Sequence, residues 1–192
     1  MSSALSISLL TLLPVLGGLL ILALGEKGLR ARTFAVVFGG AALVFAAALW
    51  AAFEPSRAGY QFVERAPWIP SLSVDYYVGV DGLGMMLLLL TALLVLMAVA
   101  ASPGQVTRPK LYYALVLFLQ AGLFGTFTAL NFFHWFLFWE LSLVPAFFLV
   151  RLWGGAGRVE AATQFFIYTM VGSVALLLGF VAVYLVTGRF NF

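Results

Sequence analysis

Apolar runs of about 20 residues recur along this chain, each cut off by a short cluster of charges, prolines or glycines. They predict membrane helices at 5–24, 34–53, 83–100, 111–130, 132–152 and 161–186. The fourth and fifth share one almost unbroken apolar stretch, 111–150, about twice the length of a single crossing. That stretch must fold into two helices, and Asn131 with His134 marks the turn. The one long connection, 54–77, holds Pro55, Pro67 and Pro70 and runs into SLSVDYYVGVD. Alternation of Val, Tyr and Ser there predicts an extended or hairpin segment. Trp68, Tyr76 and Tyr77 suit a membrane–water boundary, and Asp81 suits the N-cap of the third span. The expected fold class is all-α: one polytopic transmembrane domain over 1–192, with an extracytoplasmic loop at 54–77.

Within the spans, Pro14 and the Gly17-Gly18 pair fit a first helix closely approached by a neighbour, and the Ala- and Gly-rich second span also predicts tight packing. The opening MSSALSISLL lacks the basic region of a secretory signal, so the first apolar run reads as a retained helix. GVDGLG has the wrong spacing for a nucleotide fingerprint and opens a membrane helix.

Composition agrees with the pattern. Apolar residues make up 64% of the chain and charged ones 9%, which excludes an ordinary soluble domain. With no Cys and a single His, there is no disulfide, iron–sulfur or bis-His haem chemistry to expect, and no cofactor is expected on this chain. The small basic excess sits in loops, where it bears on topology and not on nucleic acid. Lys27, Arg30, Arg32, Arg108, Lys110, Arg151 and Arg158 fall in the first, third and fifth loops, against Arg57, Arg65 and Arg189 on the other side. The positive-inside rule then places both termini outside the cytoplasm.

Glu140 stands out because it lies near the middle of the fifth span, where a carboxyl costs several kcal/mol. Desolvation favours its protonated form and a nearby cation favours the charged form, so such a group can take up and release a proton. Five residues on, Pro145 removes a backbone donor and crowds the Leu141 carbonyl, predicting a kink and a freed acceptor beside the acid. The plainer alternative is an acid that only ties helices together. No Lys or Arg lies at the same depth, and Arg151, eleven residues on, sits about 16 Å further along the axis. Either another chain supplies the cation or Glu140 is often protonated. His134, six residues before Glu140, points to another face; it can shuttle protons at the outer end or bond a neighbouring carbonyl. Gln120 lies in the fourth span, and the sixth carries Gln164, Tyr168, Thr169 and Ser173. Gln164 and Tyr168, four apart, share a face. Gln120, Gln164 and Tyr168 can hold a water chain or make interhelical hydrogen bonds.

Four segments in order, VGVDGLGMMLLLLTALL, LYYALVLFLQAGLFGTFTALNFF, FLFWELSLVPAFFLVRLWGG and AATQFFIYTMVGS, resemble the M subunit of NADH–quinone oxidoreductase, with FWELSLVP and the trailing WGG the most specific. The resemblance implies an antiporter-like subunit that moves protons across the membrane arm of a complex I-type enzyme in a bacterial inner membrane, with redox chemistry on other subunits. It implies that Glu140 is the relay carboxylate and that its family partner is a Lys on a later, broken helix. Its implied partners are lipid, the other membrane-arm subunits and a chain supplying the missing helices with that Lys. Members of this family continue well beyond six spans, and Gln164 stands where they often carry Lys. A split subunit, a fragment and a shortened paralogue all remain open, the last with a structural or assembly role and no proton conduction of its own.

Overall fold

The computed structural model describes residues 6–24, 28–70, 74–103 and 105–188. Lys27, Arg189, the segment 71–73 and the start of the first predicted span lie outside the described residues. Among the described residues, six helices are long and apolar enough to cross a membrane: α1 (Ser6–Leu24), α2 (Gly28–Ala52), α3 (Gly82–Ala101), α4 (Pro109–Thr128), α5 (Phe132–Trp153) and α6 (Arg158–Thr187). Between α2 and α3, β1 (Gln61–Ile69) and β2 (Val74–Val80) form an antiparallel hairpin. The expected all-α class therefore holds for the spans, while the predicted extended segment becomes a two-stranded sheet.

Two helix starts depart from the hydropathy reading by three residues or more. α2 starts six residues before the predicted 34, and α6 starts at Arg158 instead of 161. Helical hydrogen bonds do not stop where side chains become charged. Arg32 lies in the second turn of α2 and donates to the Ala100 carbonyl at the end of α3 (2.7 Å). A cation there meets the negative end of a helix dipole. The α4–α5 turn occupies 129–131, and His134 already lies in the first turn of α5, its N–H donating to the Asn131 side chain (2.7 Å). Asp81 caps α3 as expected, accepting from the Gly84 N–H (2.7 Å).

α4 is the most enclosed of the six helices, with α1, α3 and α5 packed around it. Gly17 and Gly18 explain one side of that arrangement: a Cβ on either would press into Phe38, Leu117 or Phe118 at 2.5–2.8 Å. The second span packs through alanines, with Ala31, Ala35, Ala42 and Ala46 fully buried, while Gly40 faces open space. The hairpin closes one end of the bundle. Val78 and Val80 join Ile7, Leu10, Met85, Leu88 and Phe124 in one apolar cluster. Leu130 N–H donates to the Tyr77 carbonyl (2.9 Å) and Asn131 Nδ2 to the Asp75 carbonyl (2.7 Å), tying β2 to the α4–α5 turn.

Candidate functional site

Helix geometry decides where the Glu140 carboxyl points. Residues 136, 140 and 147 fall on one stripe of α5, since steps of four and seven nearly complete whole turns. Phe136 packs on Phe180 (ring centroids 6.5 Å) and Phe147 on Phe166 (5.2 Å), so this stripe faces α6. Glu140 is half-buried on that seam, and its Oε1 is enclosed without a hydrogen-bond partner. Arg151 does not reach it: the guanidinium lies over the Phe147 ring (5.6 Å) and approaches Thr163. Among the described residues, Arg65 and Asp75 form an ion pair (2.6 Å), and it belongs to the hairpin. The basic counterpart expected for Glu140 is not found among the described residues.

The α4-facing side of α5 is different. A Cβ on Gly122 would meet the Ser142 backbone and one on Gly125 the Phe138 ring, so 138 and 142 face α4. Pro145 is buried on this side and lines an apolar crevice of about 340 Å³ with Phe118, Gly122, Phe138 and Leu141. α5 is helical throughout Phe132–Trp153, so the expected kink does not break it.

The other predicted residues do not gather around Glu140. Gln120 is 0% exposed, with both amide atoms unpartnered. It sits between the core residues Leu117 and Phe124, about 140–200° round α4 from the glycines that meet α5. Gln164 and Tyr168 share a face, but it is the outward one: Tyr168 is 75% exposed and Gln164 borders a shallow hollow by 155–160. His134 is 2% exposed, its Nδ1 unpartnered, packed against Tyr76 (5.1 Å), Phe138 (4.6 Å) and Trp68 (6.2 Å).

His134 instead adjoins a polar cluster that hydropathy did not reveal. Glu64 on β1 is buried, and its carboxylate accepts from the Ile7 N–H (2.6 Å), the Ser8 N–H (3.2 Å) and the Ser8 hydroxyl. These are free donors at the positive end of α1, so Glu64 caps that helix from a distant part of the chain. Ser8 Oγ also shares a hydrogen bond with the Tyr76 hydroxyl (2.6 Å). Burial pushes the Tyr76 phenol above its usual pKa of 10.0; the Ser8 bond works against this and the Glu64 charge adds to it. Tyr76 was expected at the membrane boundary, and the structure turns it inward. A β-bulge hides the inward position of Glu64 from the sequence pattern. Gln61 pairs with Val80 and Glu64 with Val78, so three steps on β1 match two on β2. Phe62, inside the bulge, has φ 53°. Strict alternation from Gln61 would turn Glu64 outward; the extra residue turns it in.

Six apolar helices capped by a hairpin, with an acid on an interhelical seam, define an integral membrane bundle. The family model described as NADH:quinone oxidoreductase/Mrp antiporter, TM matches residues 129–192. F(420)H(2) dehydrogenase subunit M of Methanosarcina mazei is 47% identical over 128 residues, 66% of this chain and 26% of the relative. NAD(P)H-quinone oxidoreductase chain 4 2 of Thermosynechococcus vestitus is 38% identical over 178 residues, 90% of this chain and 33% of the relative. Among solved structures, respiratory complex I from Thermus thermophilus matches with TM-score 0.82 and 29% identity, covering 96% of this chain and 38% of that one. The Mrp complex from a Dietzia species shares the fold at TM-score 0.77 and 21% identity, covering 97% of this chain and 20% of that one. The chain belongs to the antiporter-like membrane subunits of complex I-type assemblies. It spans about a third or less of the length of the first curated relatives it matches.

Proposed function

We propose that this chain is part of a proton-translocating, antiporter-like subunit of a complex I-type NADH–quinone oxidoreductase, and that Glu140 is its intramembrane relay carboxyl. The observation that carries this reading is an acid on the α5–α6 seam of a membrane bundle, with Oε1 enclosed and unpartnered. A group held in this way changes protonation when a cation approaches or withdraws. The cation is a Lys on helices outside this sequence, in the rest of the subunit or in a neighbouring membrane-arm subunit. Electron carriers sit on other chains. The assembly lies in a bacterial inner membrane, with the hairpin end extracytoplasmic.

Glu140→Gln in the native membrane complex tests the assignment. Assembly and electron transfer to quinone are expected to persist, while proton uptake per electron in inverted vesicles falls. An assembled variant that pumps normally overturns it and leaves these helices a structural role.

A further inference from the structure

The helix bodies give most of their hydroxyls a local partner. Thr11, Thr91, Ser102, Thr126, Thr128, Thr163 and Thr169 each donate to the carbonyl four residues back, at 2.7–3.2 Å. Ser173 departs from this habit. It is 4% exposed in the middle of α6, and its Oγ has no partner. Among the described residues the other buried hydroxyl oxygen without a partner, that of Ser6, lies at the first residue of α1. A buried hydroxyl left open in an apolar membrane helix is unfavourable unless something satisfies it.

The register of the α5–α6 seam identifies what does. Phe166, Ser173 and Phe180 follow one another at seven-residue steps and so lie on one stripe of α6. Phe166 rests on Phe147 and Phe180 on Phe136, which makes this stripe the one facing α5 and makes the two helices antiparallel. Counting from the Phe147–Phe166 contact, seven residues back along α5 is Glu140 and seven forward along α6 is Ser173. The two therefore occupy the same layer of the seam, between two aromatic pairs that shield it above and below. The α6 residues on either side of Ser173 at that level, Val171, Gly172, Val174 and Ala175, are apolar, so Ser173 is its polar group. Each side of the layer carries a buried polar atom without a partner, Glu140 Oε1 and Ser173 Oγ.

We propose that Ser173 is the positioning residue of Glu140, with its hydroxyl hydrogen-bonding the carboxyl directly or through one bridging water. A hydroxyl suits a carboxyl that changes protonation, because it donates to the carboxylate and also accepts from the protonated acid. A fixed cation stabilises only the charged form. Ser173 therefore holds the Glu140 side chain along the seam in both states. The proposal rests on the relay reading for its functional consequence, though not for the hydrogen bond itself.

Infrared difference spectroscopy on the native complex separates the two. The carboxyl or carboxylate bands lost in Glu140→Gln identify the Glu140 signal. In Ser173→Ala the protonated C=O stretch is expected to move to higher wavenumber, or the carboxylate bands to shift, and pumping to fall roughly fivefold, the equivalent of about 1 kcal/mol. Ser173→Thr restores both. Ser173→Cys keeps the shape with a weak donor, gives a smaller shift in the same direction, and serves if the Ala variant fails to assemble. Glu140 bands unmoved in an assembled Ser173→Ala or Ser173→Cys complex overturn the proposal. Bands that move while Glu140→Gln pumps normally keep the hydrogen bond and remove the relay.

Discussion

Glu64 shows how one side chain joins distant parts of the chain. It lies 57 residues from Ile7, whose N–H it accepts, and it reaches Tyr76 through the Ser8 hydroxyl. Replacing it by Ala leaves two N–H groups at the end of α1 without their acceptor, one of them buried. Glu64→Ala is expected to destabilise the hairpin end by about 1–3 kcal/mol, read as a lower melting temperature of the detergent-solubilised protein, with Glu64→Gln in between. Tyr76 adds a pH dependence. Its phenol holds its proton better in the folded chain than in the unfolded one, because burial raises its pKa. The associated stability is whole below about pH 10 and is lost as pH rises through the higher folded-state value. Melting curves on the alkaline side are expected to fall more steeply in the wild type than in Tyr76→Phe, while at neutral pH the variant is weaker by about 1 kcal/mol for the lost Ser8 bond. Equal alkaline slopes would refute the assignment of that loss to Tyr76.

Among the elements, α4 and α5 meet where side chains are smallest. A Cβ on Gly125 would collide with the Phe138 ring at 1.8 Å, whereas one on Gly122 would meet the Ser142 Cβ at 2.8 Å and its backbone at 2.9–3.0 Å. A ring can turn aside, but backbone moves only with its helix. Gly122→Ala is thus expected to cost about 1–3 kcal/mol by forcing the pair apart, and to cost more than Gly125→Ala despite the longer contact distance. Thermal stability of the two variants checks the order. The spans themselves were legible in the sequence, because an apolar run of bilayer length admits few other structures. The hairpin was legible from alternating Val and Tyr, and the α3 cap from Asp81. What escaped depended on a single extra residue or on a neighbouring helix. The bulge at Phe62 reversed the sidedness of Glu64. The facing of Glu140 could not be known before Phe136 and Phe147 found their partners on α6, and Gln164 and Tyr168 shared a face without that face being the inner one.

Across the whole molecule, charge and topology agree on two unlike ends. The start of α1, the hairpin and the α4–α5 turn lie together, as the Glu64–Ile7 and Asn131–Asp75 hydrogen bonds require. The α1–α2, α3–α4 and α5–α6 connections lie at the other end, with Arg30, Arg32, Arg108, Lys110, Arg151 and Arg158 in or beside them. Arg57 and Arg65 are the described basic residues of the hairpin end. The positive-inside rule applied to this bias of six against two predicts a cytoplasmic basic end, since Lys and Arg near the ends of short loops resist translocation. This sequence has no Cys, so a single cysteine placed in it adds one labelling site at a known position. Ser56 at the hairpin end and Ala156 between α5 and α6 are both exposed and uncharged, and replacing them leaves the charge bias intact. A membrane-impermeant maleimide is expected to label Ser56→Cys in spheroplasts and Ala156→Cys only in inverted vesicles. Reversed labelling would turn the molecule over. The hairpin with its Glu64–Tyr76 cluster would then face the cytoplasm, and the six basic residues the opposite side.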